Sequence, residues 1–223
     1  MSISSVITRA LTETIARQGT VRIAFPGGRS AVGLMSELSN ASINWSSVYV
    51  TLVDERAVDE SSDASNAALV KSTLCVKHAS EATFESLFVS ENAEQSADYL
   101  NRYQCPLDIA VLGMGEDGHF ASLFPSEIAV PGLDDGRTGF VATGAIGSPS
   151  VPRISMTLNQ IVSAELIVLL VSSVAKKDKV MDGLESVSPM NPVSYLFASS
   201  HPILVVWPDG EIVTVRNGVM HES

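Results

Sequence analysis

The spacing of hydrophobic residues changes once within the first 25 positions, and the change indicates a helix followed by a strand. Positions 3, 6, 7, 10, 11 and 15 are hydrophobic at intervals of three or four residues. This spacing predicts a helix over residues 2–18 with one apolar face, and Gly19 follows where helices commonly end. Residues 21–25 form a short β-branched and aromatic run before Pro26 and two glycines, which is typical of a strand entering a turn.

The alternation of hydrophobic runs with amphipathic segments continues along the chain. Further helices are predicted at residues 30–38, 66–74, 92–103 and 175–184. Further strands are predicted at residues 48–53, 107–112, 139–143, 166–171, 203–207 and 212–215, with the last one antiparallel to its predecessor. Because alternating strands and helices are joined by right-handed crossovers, we predict an α/β fold. It is a Rossmann-like, three-layer α/β/α arrangement around a mostly parallel central sheet, forming a single domain over residues 1–223.

Composition and charge indicate a folded chain and limit its partners. Hydrophobic residues make up 45% of the sequence and charged residues 17%, which is far from the composition of disordered chains. The 25 acidic residues outnumber the 14 basic ones, giving a net charge of −11. We therefore expect neither nucleic acid nor an anionic membrane as a partner. An anionic ligand would need a local concentration of Arg and Lys.

The cysteine content and the hydrophobic runs point to a cytoplasmic protein. Cys75 and Cys105 are the two cysteines of the sequence, which excludes a multi-disulfide scaffold and a four-cysteine zinc site. The longest apolar run, residues 166–171, is much shorter than the roughly 20 residues that cross a bilayer. The first twenty residues lack a secretory signal. Their Ser, Thr and Arg leave an organelle presequence as an alternative, against which Glu13 and the direct continuation into a strand argue.

Three of the predicted strands end in glycine-rich or charged segments. These segments are residues 27–30 (GGRS), 54–56 (DER) and 113–119 (GMGEDGH). Because open α/β sheets bind ligands outside the carboxyl ends of their strands, we expect the three segments to line one crevice.

Two of these segments each have a structural and a functional interpretation. The glycines at residues 27–28 allow close approach to a phosphate, to which Arg29 and Ser30 would add donors. A tight turn with Ser30 as the N-cap of a helix explains the same residues. In the second segment, Arg56 would face a developing negative charge while a carboxylate holds its guanidinium. A solvated loop is the alternative for residues 54–56.

The third segment contains a candidate general base. Its glycines match the G-x-G-x-x-G pattern, but no helix opens within it and the following acidic residues lie in a glycine-rich loop, so we predict no dinucleotide cofactor. His119 stands beside Asp117, which would fix its tautomer and raise its basicity, although a lone histidine is more often structural. No pair of histidines has metal-ligand spacing and no G-x-S-x-G elbow is present, so we predict neither a metal site nor a serine triad.

Four motifs, taken in order, resemble the 6-phosphogluconolactonase family. They are residues 25–30; residues 54–58 with 65–66; residues 113–119 with 121–125; and residues 153–157. The similarity extends from the first helix to Trp207. It implies a three-layer α/β fold related to the sugar-phosphate isomerases and deaminases. It also implies hydrolysis of 6-phosphoglucono-δ-lactone to 6-phosphogluconate in the oxidative pentose phosphate pathway, with no metal and no organic cofactor.

The resemblance also implies roles for individual residues. His119 corresponds to the general base, Arg56 to the group that stabilises the oxyanion or orients the substrate, and Asp117 to the support of His119. The substrate, a small sugar phosphate lactone, would be bound by Gly27, Gly28, Arg29, Ser30, Asp54, Arg153 and Lys176. We expect a monomer or a weak homodimer.

The chain departs from the family pattern, and two other functions compete with lactone hydrolysis. Arg29 stands where members usually have a small hydroxyl residue, and residues 149–152 lack a customary lysine, for which Arg29 is a candidate substitute. An amino-sugar-phosphate isomerase or deaminase shares the loop at residues 113–119, but the sequence after it, at residues 120–125, lacks the Asn and Glu that such enzymes carry. The joint presence of His119 and Arg56 argues against a non-catalytic sugar-phosphate-binding protein.

Overall fold

The computed structural model describes residues 2–103, 106–127 and 130–222. Cys105, one of the two cysteines of the sequence, lies outside the described residues. The helices are α1 (Ile3–Gln18), α2 (Val32–Leu38), α3 (Asn66–Thr73), α4 (Ala93–Arg102), α5 (Leu158–Val162), α6 (Val174–Glu185) and α7 (Val193–Ala198). The strands are β1 (Val21–Phe25), β2 (Val48–Leu52), β3 (Asp54–Arg56), β4 (Thr83–Phe84), β5 (Ile109–Gly113), β6 (Phe140–Ile146), β7 (Val151–Met156), β8 (Leu166–Leu170), β9 (Ile203–Val206), β10 (Ile212–Arg216) and β11 (Val219–Glu222).

The central sheet combines parallel strands with an antiparallel edge. Its strand order is β11-β10-β9-β8-β5-β1-β2-β4. The strands from β9 to β4 in this order pair in parallel, whereas β10 pairs antiparallel with both β9 and β11. The predicted antiparallel pairing of residues 212–215 is therefore confirmed. Within the described part of the chain, no helix is both long enough and apolar enough to span a membrane.

Each face of this sheet is covered by helices. In β5, Ile109 and Val111 belong to one hydrophobic core, and Ala110 and Leu112 belong to the other, because successive side chains of a strand point to opposite faces. The first core includes buried residues of α1, α2, α3 and α4, and the second includes those of α5, α6 and α7. The predicted three-layer α/β/α fold is confirmed.

A second, smaller sheet lies where β2 ends. Its strand order is β3-β7-β6, and both pairings are antiparallel. Val53 lies between β2 and β3 and forms backbone hydrogen bonds to a strand of each sheet. Its N–H donates to the carbonyl of Phe25 in β1 at 2.9 Å, and its carbonyl accepts from the N–H of Met156 in β7 at 2.9 Å. One continuous chain segment therefore joins the two sheets.

The solvated-loop interpretation of residues 54–56 is wrong. The three residues form β3, and the side chains of Asp54 and Glu55 are buried, with relative exposures of 6% and 2%. The charges are accommodated because N–H groups of α3 donate to Glu55, while Asp54 accepts from the hydroxyl of Ser122 and lies near the guanidinium of Arg153.

The N-cap interpretation of Ser30 is also wrong. The predicted helix at residues 30–38 begins as a 3-10 turn at Arg29–Ala31 and becomes α-helical only at Val32. Neither the turn nor α2 has a side-chain cap. Ser30 instead faces the last residue of β5, because its Oγ would lie 3.1 Å from a β-carbon placed on Gly113.

Candidate active site

The three predicted segments meet at a crevice of about 300 Å³. It lies at the carboxyl ends of β1, β5 and β8 and beside the junction of β2 with β3, as the parallel topology requires. Asp117 contacts His119 from outside the lining. The other nine residues predicted for the site line the crevice: Gly27, Gly28, Arg29, Ser30, Asp54, Arg56, His119, Arg153 and Lys176.

The imidazole of His119 is held on two sides. Its Nδ1 lies 2.5 Å from Oδ1 of Asp117, and its ring stacks on that of Phe124 with centroids 4.2 Å apart. Burial is the largest single influence on Asp117 and acts to raise its pKa. The hydrogen bonds and charge of His119 outweigh it, so the pKa of Asp117 is below its ordinary value. With Nδ1 engaged by an ionised carboxylate, Nε2 is the ring nitrogen left to accept a proton.

Gly115 allows this pair to form. A β-carbon at Gly115 would overlap the ring of His119 and the carboxylate of Asp117. Gly115 therefore has a steric role, because the lack of a side chain lets the backbone pass close beneath His119 and Asp117.

The guanidinium of Arg56 has one nitrogen available to a ligand. Its Nη1 donates to the carbonyl of Ala64 at 3.0 Å and to Oδ1 of Asn66. Its Nε is buried and has no hydrogen-bond partner among the described residues. Since Nη1 already donates to two acceptors and Nε is buried, Nη2 is the nitrogen left to donate to a molecule bound in the crevice that Arg56 lines.

Glu55 fixes β3 to the start of α3. Its carboxylate accepts hydrogen bonds from the backbone N–H groups of Arg56, Asn66 and Ala67 at 2.7, 2.8 and 2.7 Å. Burial raises the pKa of Glu55, and these three hydrogen bonds act in the opposite direction. Glu55 is not among the site residues predicted from the sequence. A buried carboxylate that binds the N-terminus of a helix becomes visible only once the helix is placed beside it.

Asn66 is a second residue of the site that the sequence argument did not select. Its side chain lines the crevice, yet the residue is only 1% exposed. Its Nδ2 donates to the backbone carbonyl of Asp54 at 2.8 Å. A β-carbon at Gly27 would overlap its amide group, so the first glycine after β1 is required by the approach of Asn66. In the sequence, Asn66 was visible only as part of a family motif.

Arg153 lies deep in the crevice and is tied to the turn between β6 and β7. Its Nε and Nη2 donate to the carbonyls of Ile146 and Pro149, both at 3.1 Å. Its Nη1 lies 3.8 Å from Oδ2 of Asp54, and its guanidinium lies over the ring of Phe124, 5.4 Å from the centroid. Burial is the main reason that the pKa of Arg153 is below its ordinary value, and the charge of Asp54 opposes this effect.

The rim of the crevice carries less constrained donors. Arg29 is exposed, and its guanidinium has no hydrogen bond or ion pair with another described residue. Lys176, in the first turn of α6, donates from Nζ to Oγ of Ser172 at 3.0 Å. With Arg56 and Arg153, these residues place four cations around one crevice of a chain whose net charge is −11. They provide the local basic concentration that an anionic ligand needs.

The described residues contain no group of three or more His, Cys, Asp or Glu side chains placed to bind a metal ion. The expectation that the site works without a metal or an organic cofactor stays a prediction.

Comparison with known proteins identifies the family of this chain. Residues 1–207 match the model of the family described as glucosamine-6-phosphate isomerases/6-phosphogluconolactonase. The chain belongs to this family. The prediction drawn from the four motifs is confirmed.

The relatives of this chain described next are all named 6-phosphogluconolactonase, which is one of the two names in the family description. A 6-phosphogluconolactonase of Caulobacter vibrioides is 34% identical, and the match covers 92% of this chain and 91% of the relative. One of Mesorhizobium japonicum is 37% identical over 88% of this chain and 85% of the relative. The crystal structure of a 6-phosphogluconolactonase from Shewanella baltica superimposes with a TM-score of 0.84 at 32% identity, covering 92% of this chain and 91% of the other.

Proposed function

We propose that this protein is a 6-phosphogluconolactonase that hydrolyses 6-phosphoglucono-δ-lactone to 6-phosphogluconate in the oxidative pentose phosphate pathway. One observation carries the proposal: the His119–Asp117 pair and the guanidinium of Arg56 meet at a crevice whose rim holds Arg29 and Lys176. A base, an electrophilic donor and an anion-binding rim are the three components that hydrolysis of a phosphorylated lactone requires. The name shared by the curated relatives supports the same function.

The mechanism follows from the two fixed side chains. Nε2 of His119 takes a proton from a water molecule as its oxygen attacks the lactone carbonyl carbon, a step to which a positioned base typically contributes about 10²–10⁴-fold. Nη2 of Arg56 donates to the oxyanion of the tetrahedral intermediate. The bond from the carbonyl carbon to the ring oxygen then breaks, and protonated His119 returns the proton to that oxygen. The products are a hydroxyl group and a carboxylic acid, which ionises at neutral pH.

The remaining cations and the glycine loop bind the substrate. Arg29, Ser30 and Lys176 hold the phosphate at the rim, where their donors are the least constrained by the protein. Arg153 and Asp54 form the floor of the crevice and orient the sugar. Because the phosphate does not change during the reaction, these contacts stabilise ground state and transition state alike and lower KM.

An amino-sugar-phosphate isomerase or deaminase is less well supported. Such an enzyme needs a second carboxylate to open the sugar ring and move a proton. Among the described residues that line the crevice, Asp54 is the one carboxylate. It is already engaged by the hydroxyl of Ser122 at 2.5 Å and by the nearby charge of Arg153.

A coupled assay decides between these functions. The purified protein is given 6-phosphogluconolactone, 6-phosphogluconate formation is followed, and spontaneous hydrolysis is subtracted. Glucosamine 6-phosphate is tested in parallel for ammonia release, and unphosphorylated gluconolactone serves as the control for the phosphate site. We expect lactone hydrolysis, no ammonia and a much higher KM for the unphosphorylated lactone. Ammonia release without lactone hydrolysis would overturn the proposal.

Cytoplasmic location and a monomeric or weakly dimeric state belong to the same proposal. The first rests on the low cysteine content of the sequence. Light scattering of the purified protein tests the second expectation.

A further inference from the structure

The side chain of Asn66 lies between the end of β1, the strand β3 and the guanidinium of Arg56. Its Oδ1 accepts from Nη1 of Arg56, and its Nδ2 donates to the backbone carbonyl of Asp54. The amide also lies against the backbone of Gly27 at the end of β1. The residue is 99% buried, since its relative exposure is 1%. It is thus held in the protein interior while it still lines the crevice.

The surroundings determine the orientation of this amide. If Oδ1 and Nδ2 exchanged places, an amide donor would face the guanidinium donor of Arg56, and an amide oxygen would face the carbonyl of Asp54. Both hydrogen bonds would be lost in a buried place, where each unpaired group costs about 1–3 kcal/mol. The Asn66 amide therefore presents its oxygen to Arg56 in one fixed direction.

This direction decides which edge of the guanidinium reaches the crevice. Arg56 is anchored at Nη1 by two acceptors, the carbonyl of Ala64 and Oδ1 of Asn66. Without the second acceptor, the planar group would be held at one point and could turn about its terminal bonds. An arginine side chain retains much rotamer freedom unless several of its donors are fixed.

We propose that Asn66 is a positioning residue, which holds the guanidinium of Arg56 so that Nη2 faces the oxyanion formed during lactone hydrolysis. This inference rests on the proposed function. Asn66 acts through Arg56 and need not touch the substrate. Its contribution therefore belongs to the transition state rather than to substrate binding, and it is a contribution to kcat.

A purely structural role makes a different prediction. Asn66 is the first residue of α3 and is buried, so its removal lowers stability whether or not it positions Arg56. A loss of kcat that comes only from a structural change would be the same in the presence and absence of the Arg56 side chain. A loss of rate that arises from positioning disappears once that side chain is removed, because no guanidinium remains to be positioned.

The test is a double-mutant cycle on lactone hydrolysis. We expect Asn66→Ala to lower kcat by about 10–100-fold while KM stays within about threefold, since misplacement of a catalytic group by about 1 Å has effects of this size. We expect the double variant Asn66→Ala/Arg56→Ala to have the same kcat as Arg56→Ala alone. Asn66→Asp keeps an oxygen beside Nη1 but sets its other oxygen against the carbonyl of Asp54, so its stability should be lower than that of the wild type while its kcat lies between those of Asn66→Ala and the wild type. It also serves where the alanine variant fails to fold.

Ser65→Ala is the matched control. The hydroxyl of Ser65 caps the same helix by accepting from the N–H of Ala68 at 3.1 Å and donates to Oε2 of Glu55 at 3.3 Å, and it forms no hydrogen bond with the guanidinium. This variant should have a lower melting temperature and a normal kcat. If Asn66→Ala behaves like Ser65→Ala, or if its loss of kcat adds fully to that of Arg56→Ala, Asn66 is only structural. Failure of the wild-type protein to hydrolyse the lactone would instead overturn the proposed function, and the inference with it.

Discussion

His119 owes its orientation to two neighbours of different kinds. Asp117 binds Nδ1 through a charge-assisted hydrogen bond, and Phe124 covers a ring face. The aromatic ring of Phe124 also lies beneath Arg153, so one apolar side chain supports both the proposed base and a cation of the floor. An arrangement of this kind holds the imidazole still without occupying Nε2.

The first prediction concerns the base itself. His119→Ala should lower the rate of lactone hydrolysis at least about 100-fold while the protein stays folded, because a positioned general base contributes about 10²–10⁴-fold. The rate is measured above spontaneous hydrolysis, and circular dichroism checks the fold. His78→Ala is the control, since His78 is exposed and does not line the crevice. A nearly normal rate in His119→Ala would remove His119 from the mechanism.

Some of these residues could be predicted from the sequence, and others could not. His119, Asp117 and Arg56 could be selected because they follow hydrophobic strands directly, where topology places ligands. Glu55 and Asn66 could not be selected on that basis. Their importance comes from contacts between β3 and α3, whose relative placement no local pattern specifies.

At the scale of elements, long strands and helices were predictable and short ones were not. The strands of the central sheet have hydrophobic runs, because side chains on both of their faces are buried. In contrast, β3 consists of three charged residues, and its partner β7 contains Pro152 and Arg153. These strands exist because they pair with each other across a long stretch of sequence. The short elements β4, α5, α7 and β11 likewise carry too few residues to show a period.

The second prediction compares two glycines near the start of α2. Gly27→Ala should lower kcat/KM at least about tenfold, because its β-carbon would displace the amide of Asn66 and with it Arg56. Gly33 lies within α2, and a β-carbon there meets nothing within 4 Å. Gly33→Ala should therefore leave the kinetics unchanged and stabilise the protein by about 0.5–1 kcal/mol. Equal kinetics in the two variants, measured in the lactone assay, would contradict the close approach of Gly27 to Asn66.

At the scale of the whole molecule, the crevice lies away from the antiparallel edge of the sheet. The strands whose ends form it, β1, β2, β5 and β8, are neighbours in the middle of the strand order. The outermost strand, β11, is separated from β8 by β9 and β10. The antiparallel edge therefore contributes to the second core but not to the site.

The third prediction follows from this separation. Deletion of residues 219–223 removes β11 and makes β10 the edge strand. The variant should lose about 1–2 kcal/mol of stability, seen as a melting temperature lower by roughly 2–8 °C. Its kcat and KM should stay within about twofold of the wild type. A folded variant with strongly reduced kcat would show that the far edge influences the chemistry, contrary to this prediction.

The peptide units on either side of Val53 have a consequence for how the protein opens. The N–H of Val53 hydrogen-bonds the chain to β1, and its carbonyl hydrogen-bonds the chain to β7. A single fully buried residue therefore connects the two sides of the crevice. Cooperative opening units often coincide with joined supersecondary motifs, so we expect the amide hydrogens of Val53 and Met156 to exchange together. The crevice that binds the lactone therefore exists only while the chain stays bonded to both β1 and β7. Opening on either side would remove the whole binding site.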